Sequence, residues 1–174
     1  MPGRLHLDKA LVVVAAQEDG AGIGRIRMRQ IVDASAASLV PFVQDSVEPG
    51  SVIHTDGWLG YLPLESKGYE HEVTFLKGKK KTPSELMPRV HLVLCLLKRW
   101  LMGTHQGAIS PPKHLDYYLD EFTFRFNRRR SKSRGKLFLR LAQQAVAVDP
   151  VTHYRIVHPD LRKVEGNPQF VGAG

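Results

Sequence analysis

The chain begins with short β-branched runs and passes into longer stretches of helical period. Leu11–Gln17 (LVVVAAQ) is an unbroken apolar run of the kind found in strands covered on both faces. Glu18–Gly22 (EDGAG) is turn chemistry. Gly24–Val32 follows as a second strand, in which Arg25, Arg27 and Arg29 alternate with Ile26 and Met28. The two strands predict a hairpin whose second strand has one basic and one apolar face. A helix to about Val47 comes next, capped by Asp33 or Ser35, with Ala36, Leu39, Val43 and Val47 on one side. Pro41 predicts that this helix kinks or starts late. Ser51–Thr55 (SVIHT) is a short strand ending at Asp56-Gly57, and a helical turn over Trp58–Leu64 follows. Tyr69–Leu76 alternates Glu70 and Glu72 with His71, Val73 and Phe75, which predicts an edge strand.

Lys77–Thr82 (KGKKKT) is a basic loop. Ser84–Gly103 then predicts one long amphipathic helix packed into a core, with Gly103 as its C-terminal cap. After a loop over Thr104–Ser110, a helix runs from Pro111 to about Arg128, with Leu115, Tyr118, Leu119, Phe122 and Phe126 on one face. Lys136–Val148 reads as a last helix, and the pattern fades beyond Asp149-Pro150. Trp58, Trp100 and the Phe122/Phe124/Phe126 set read as core residues. The succession is strand, strand, helix, strand, helical turn, strand, long helix. It predicts an α/β class: a ribonuclease H-like mixed sheet with flanking helices, lacking its first strand and followed by C-terminal helices.

Composition adds a charge asymmetry. The 174 residues are 43% hydrophobic and 24% charged, an ordinary soluble domain with a net charge of +8. Residues 1–76 carry six Lys/Arg against ten Asp/Glu, and residues 77–174 carry nineteen against seven, so the net charge goes from −4 to +12. A basic C-terminal half points to a polyanionic partner. The single cysteine, Cys95, excludes an internal disulfide and fits a reducing cytosol. No apolar run approaches the ~20 residues of a membrane span.

Three residues stand out for chemistry. Asp56 ends a strand, where rigid backbone can aim a carboxylate into a shared site. His91 lies 35 residues later, and Lys98 follows it by seven, almost two helical turns, so both leave the helix on one face. Taken singly, these are a turn aspartate, a helix histidine and a lysine with a packed stem. Taken together, they have the spacing of a polynucleotidyl transferase.

The chain resembles the DDE-type transposases of bacterial insertion sequences, specifically the ISXO-two-like transposase domain. The resemblance is carried by LVVVA at Leu11–Ala15, GRIRM at Gly24–Met28 and TDGWLGY at Thr55–Tyr61. It continues through LLKRWLMGTHQGAIS at Leu96–Ser110 and HLDYYLDEFTFRFNRRRS at His114–Ser131. It implies a catalytic domain over residues 9–147, with 1–8 a non-matching remnant and 148–174 a tail. It implies divalent metal, Mg or Mn, held by carboxylates on a ribonuclease H-like sheet. It also implies metal-dependent cleavage and strand transfer on DNA, with the protein acting as a homo-oligomer on element ends and target in the cytoplasm and nucleoid.

By the same resemblance Asp56 matches the second Asp of the motif. His91 stands where the third residue, usually Glu, falls, so Asp56 and His91 are the expected metal ligands. Lys98 matches the family lysine, suited to a phosphate near the scissile bond. The expected DNA contacts are Lys77, Lys79, Lys80, Lys81, Arg99, Arg125, Arg128, Arg129 and Arg130. The family's first Asp lies on a strand upstream of LVVVA, and Asp8 is not in the matching position. The chain therefore reads as a truncated, inactive copy. The competing reading is a basic DNA-binding module without catalysis.

Overall fold

The structure is a computed structural model that describes residues 10–75, 82–104 and 114–157. Strands β1 (Leu11–Asp19) and β2 (Gly22–Ile31) form the expected hairpin, antiparallel from Leu11↔Ile31 to Asp19↔Gly22, with a register shift between Ala16 and Glu18. The helix α1 (Ala36–Ser46) follows and runs through Pro41 without starting late. Its first turn is held from outside: Asp33 Oδ1 accepts the Ser35 N–H (3.0 Å) and the Ser38 hydroxyl (2.8 Å). These bonds hold the Asp33 carboxyl below its usual range, chiefly through Ser35.

The apolar run of β1 is covered on both faces, as its composition predicts. Val12, Val14 and Ala16 lie on the same side as Ile26 and Met28. They pack against Val93 and Leu97 of α3 (Pro88–Thr104) and against Leu115, Leu119, Phe122 and Phe126 of α4 (Leu115–Asn127). Val13, Ala15 and Ile31 face the other way, onto Leu39, Val40, Phe42 and Val43 of α1. Each Val, Leu, Ile or Phe side chain fully buried among them contributes about 1.5–3 kcal/mol. The basic face of β2 is partly structural. Arg29 pairs with Asp45 at 2.9 Å and lies over the Phe42 ring.

Strands β3 (Val52–Thr55) and β4 (Glu70–Val73) pair in parallel, joined through a 3₁₀ segment over Leu59–Lys67. The expected single mixed sheet is thus two two-stranded sheets among the described residues, β1–β2 and β3–β4. Both lean on the α1 cluster, since Val13 of β1 and Ile53 of β3 pack into it.

The long helix over Ser84–Gly103 is two helices. A short α2 (Pro83–Leu86) is capped by Thr82, whose N–H and hydroxyl both reach the Glu85 carboxylate (2.7 and 3.0 Å). Pro88 then breaks the run, because proline disfavours helical backbone at the residue before it and suits the first turn of α3. Gly103 lies inside α3, which ends at Thr104 and does not use it as a cap. The helix expected from Pro111 begins at Leu115 with His114 at its N-cap, and residues 105–113 lie outside the described set. The chain divides into two compact units, Met1–Arg128 and Arg129–Gly174. The second contains α5 (Arg134–Val146) and a short α6 (His153–Val157), the latter in the stretch where the sequence pattern fades.

Candidate functional site

Asp56 leaves the end of β3 in a loop with little freedom. Thr55 before it is buried, its hydroxyl bonded to His71 Nε2 at 2.8 Å and accepting the Gly57 N–H at 3.3 Å. Gly57 has φ +79°, and a Cβ there would stand 2.8 Å from Val73 Cγ1. Asp56 Oδ1 accepts the Trp58 N–H at 3.2 Å. The loop is tied to the start of α1 twice over. The Trp58 ring N–H donates to the Ala34 carbonyl at 2.6 Å, and Gly60 approaches that oxygen so closely that a Cβ would meet it at 2.6 Å. The exposed Asp56 carboxylate is therefore aimed by backbone geometry from both sides. Tyr61 lies nearby: burial first, and the Asp56 charge second, push its phenol upward.

Trp58 is not the core residue that composition suggests. It is 51% exposed, and its side chain is anchored through its ring nitrogen. Trp100 does pack inside, edge-on to Tyr118 and tilted against Phe122. Phe122 and Phe126 are buried as expected.

His91 is half-buried on α3, and its Nδ1 lies 3.6 Å from Cys95 Sγ. The helix is less enclosed than its sequence suggests. Val93 and Leu97 are its buried side chains, while Leu92, Cys95, Lys98, Arg99 and Met102 are exposed. His91, Cys95 and Lys98 therefore line one accessible face at i, i+4 and i+7. What holds this helix start in place is Arg89, a residue that no period or motif in the sequence singles out. Its guanidinium donates to the carbonyls of Gly22 (3.0 Å) and Gly20 (2.6 Å) and pairs with Glu18 (2.7 Å). The turn of the β1–β2 hairpin thus fixes the helix that carries His91.

The expected DNA-contacting residues differ in how they are held. Arg99 is exposed beside Lys98 on α3. Arg125 is paired with Glu121 at 2.8 Å, and Arg128 lies over the Phe124 ring at 4.0 Å. Arg129 and Arg130 are exposed and begin the second unit. Lys77, Lys79, Lys80 and Lys81 lie outside the described residues. On α4 the Asp120 carboxyl is pushed up by desolvation first and by Asp116 second.

Asp56 and His91 offer an oxygen and an imidazole nitrogen, a donor chemistry that suits a divalent ion of the Mn²⁺ type. Among the described residues no group of three or more His, Cys, Asp or Glu side chains could hold a metal. No helix among the described residues is long and apolar enough to cross a membrane.

A family model described as the ISXO2-like transposase domain matches residues 2–127. No curated protein and no solved structure matches the chain.

Proposed function

The chain belongs to the family of ISXO2-like transposase domains, and from that premise we propose that it is the catalytic domain of an insertion-sequence transposase, with Asp56, His91 and Lys98 at its centre. Membership ties it to DNA transposition and so to DNA and divalent metal; the assignment of roles to residues is ours. The observation that carries it is the double restraint on Asp56. A carboxylate at a strand end, pinned through Trp58 and Gly60 to Ala34, is built to hold a fixed position while open to solvent.

In this reading Asp56 and His91 would hold the metal, which when bound supplies activation of the attacking hydroxyl and stabilisation of the leaving oxygen. Lys98 places a positive charge two turns beyond His91 and positions a DNA phosphate without demanding a base sequence. Arg99 extends that positive surface. The fold is read as a ribonuclease H-like domain over residues 9–147. Two separate two-stranded sheets resting on one α1 layer support this reading. In this reading the chain's own residues name two metal ligands, Asp56 and His91, and among the described residues no group of three or more such donors forms.

The test is Mn²⁺-dependent cleavage and strand transfer on element-end DNA, with the chain in its complete gene context. Asp56→Asn and His91→Ala should each abolish activity and leave DNA binding in place. Full activity in either variant would sink the site assignment. The second reading is a basic DNA-binding module without catalysis, and what favours it is that no group of three or more metal-ligating side chains forms among the described residues. It predicts salt-sensitive binding that survives Asp56→Ala, and no strand transfer in any context.

A further inference from the structure

We propose that the Trp58 indole is a stacking platform for one unpaired nucleobase, set beside the Asp56 carboxylate. The ring is half-exposed yet held at one edge. Its N–H donates to the Ala34 carbonyl at 2.6 Å, and Gly60 lies so close that a Cβ there would stand 3.2 Å from Trp58 Cδ1. Both contacts are on the pyrrole side of the indole, so the benzo side is the part turned away from them. Among the described residues no aromatic ring stacks against Trp58, whereas Trp100 is packed with Tyr118 and Phe122.

A large apolar ring in water gains from a partner with a flat face, and an anchored ring loses little further freedom when it is covered. A nucleobase supplies such a face, and stacking on an aromatic side chain contributes about 1–3 kcal/mol per base without demanding a sequence. Bases paired in a duplex keep their faces against one another, so the ligand is a base in a single strand or one turned out of the helix. The next residues suit the same ligand. Leu59 and Leu62 are exposed and three apart in a 3₁₀ segment, where such residues eclipse, so they form a short apolar row after the ring.

What selects a base over any other flat partner is the neighbouring carboxylate. Asp56 Oδ1 accepts the Trp58 N–H at 3.2 Å, so ring and carboxylate ride on one restrained loop two residues apart. This placement rests on the reading above. With Asp56 holding the metal at the scissile phosphate, the stacked base belongs to a nucleotide at or next to the cleaved bond. Trp58 is then a positioning residue that holds that nucleotide out of its duplex.

The experiment is binding of the full chain, without metal, to a short single strand and to the same strand with an abasic analogue at every position. The chain has two tryptophans, so Trp58 emission is read in Trp100→Phe or as the difference between the native chain and Trp58→Phe. The intact strand should quench it and the abasic strand should not. Asp56 repels phosphate when no metal is bound, so the decisive quantity is the ratio of intact to abasic affinity. Trp58→Ala should lower that ratio by about 5- to 100-fold, with Trp58→Phe between it and the native chain. Circular dichroism checks that each variant is folded. An unchanged ratio in folded Trp58→Ala, or Trp58 emission unmoved at saturation, overturns the proposal. Should Trp58→Ala not fold, Trp58→Phe and the native emission decide it. None of these readings needs metal or cleavage, so their failure is separate from a failure of the transposase reading. In element-end DNA with 2-aminopurine beside the cleaved bond, the native chain should change the base's emission and Trp58→Ala should not. An equal change in both overturns the placement at that bond.

Discussion

The side-chain amide of Asn127 holds both backbone groups of Ile26: its Oδ1 accepts the Ile26 N–H at 2.7 Å and its Nδ2 donates to the Ile26 carbonyl at 3.1 Å. The last residue of α4 thus acts as a one-residue strand along the outer edge of β2. It blunts an edge that would otherwise present unpaired groups to another chain. Because the Ile26 groups point outward, those of Val12, Val14 and Ala16 point to the far edge of β1. Neighbouring residues on a strand alternate sides, and Ala16 stands opposite Ile26.

Asn127→Ala should cost about 1–3 kcal/mol, because two part-buried backbone groups lose their partners at once. Asn127→Asp should cost nearly as much, since a carboxylate accepts from the N–H but cannot donate to the carbonyl. Urea denaturation measures both. An Asp variant as stable as the native chain would show that the Nδ2 bond contributes nothing.

Gly57→Ala joins two penalties that normally occur apart. The backbone is left-handed at φ +79°, and the new Cβ would press on Val73 Cγ1 at 2.8 Å and on the Phe75 ring at 3.1 Å. A loss of about 1–3 kcal/mol is expected. Asp56 would be displaced with it, so metal-dependent cleavage should fall further than stability alone explains. Gly50→Ala, at φ +81° with nothing nearby, separates the two effects: it carries the backbone strain without the clash. Equal losses at the two positions would show that Val73 and Phe75 yield freely.

The order of elements through β4 was readable from local pattern. Strands β1 and β2 and helix α1 bury faces whose period shows in the sequence, whereas β4 was readable from its alternation although Val73 and Phe75 remain exposed. The β-branched run at Leu11–Gln17 announced a strand covered on both sides, and Val13 and Val14 pack on opposite layers. The break at Pro88 was also present in the chain, yet helical period on both sides of it masked the boundary. What could not be read were side chains answering backbone groups far away. Asn127 reaches Ile26 across 101 positions, and Arg89 reaches the Gly20 and Gly22 carbonyls across nearly 70. Such contacts leave no period, and asparagine and arginine give the same composition on any surface. The site divides the same way. Asp56 was legible from its strand end and its glycine, whereas the Trp58 and Gly60 tether to Ala34 depends on tertiary approach.

Asp120 supplies a pH dependence of defined sign. Desolvation and the Asp116 charge raise its carboxyl above the ordinary value of 3.8, so the folded chain binds that proton more tightly than the unfolded chain. Its contribution is favourable at pH values below the ordinary one and is lost as pH rises through the raised value. Above both, the charged group is a net burden. Asp120→Asn should therefore raise Tm at pH 7 and leave it unchanged near pH 3. A gain of equal size at both pH values would mean that packing, not charge, sets the difference.

DNA binding should depend on which cations are already engaged. Each phosphate contact released contributes about 0.9 to the slope of log affinity against log salt. Lys98 and Arg99 are exposed on the accessible side of α3, so neutralising both, as Lys98→Gln with Arg99→Gln, should flatten the slope by about 1–2. Arg125 spends its charge on Glu121 at 2.8 Å, one turn back on the same helix. Arg125→Gln should move the slope less than Arg99→Gln does, and Glu121→Gln should strengthen binding by releasing the guanidinium. Fluorescence anisotropy on a duplex of arbitrary sequence, from low to physiological salt, reads all four variants. If Arg125→Gln flattens the slope as much as the α3 pair does, the Glu121 pair opens on contact with DNA, and α4 rather than α3 carries the phosphate-binding surface.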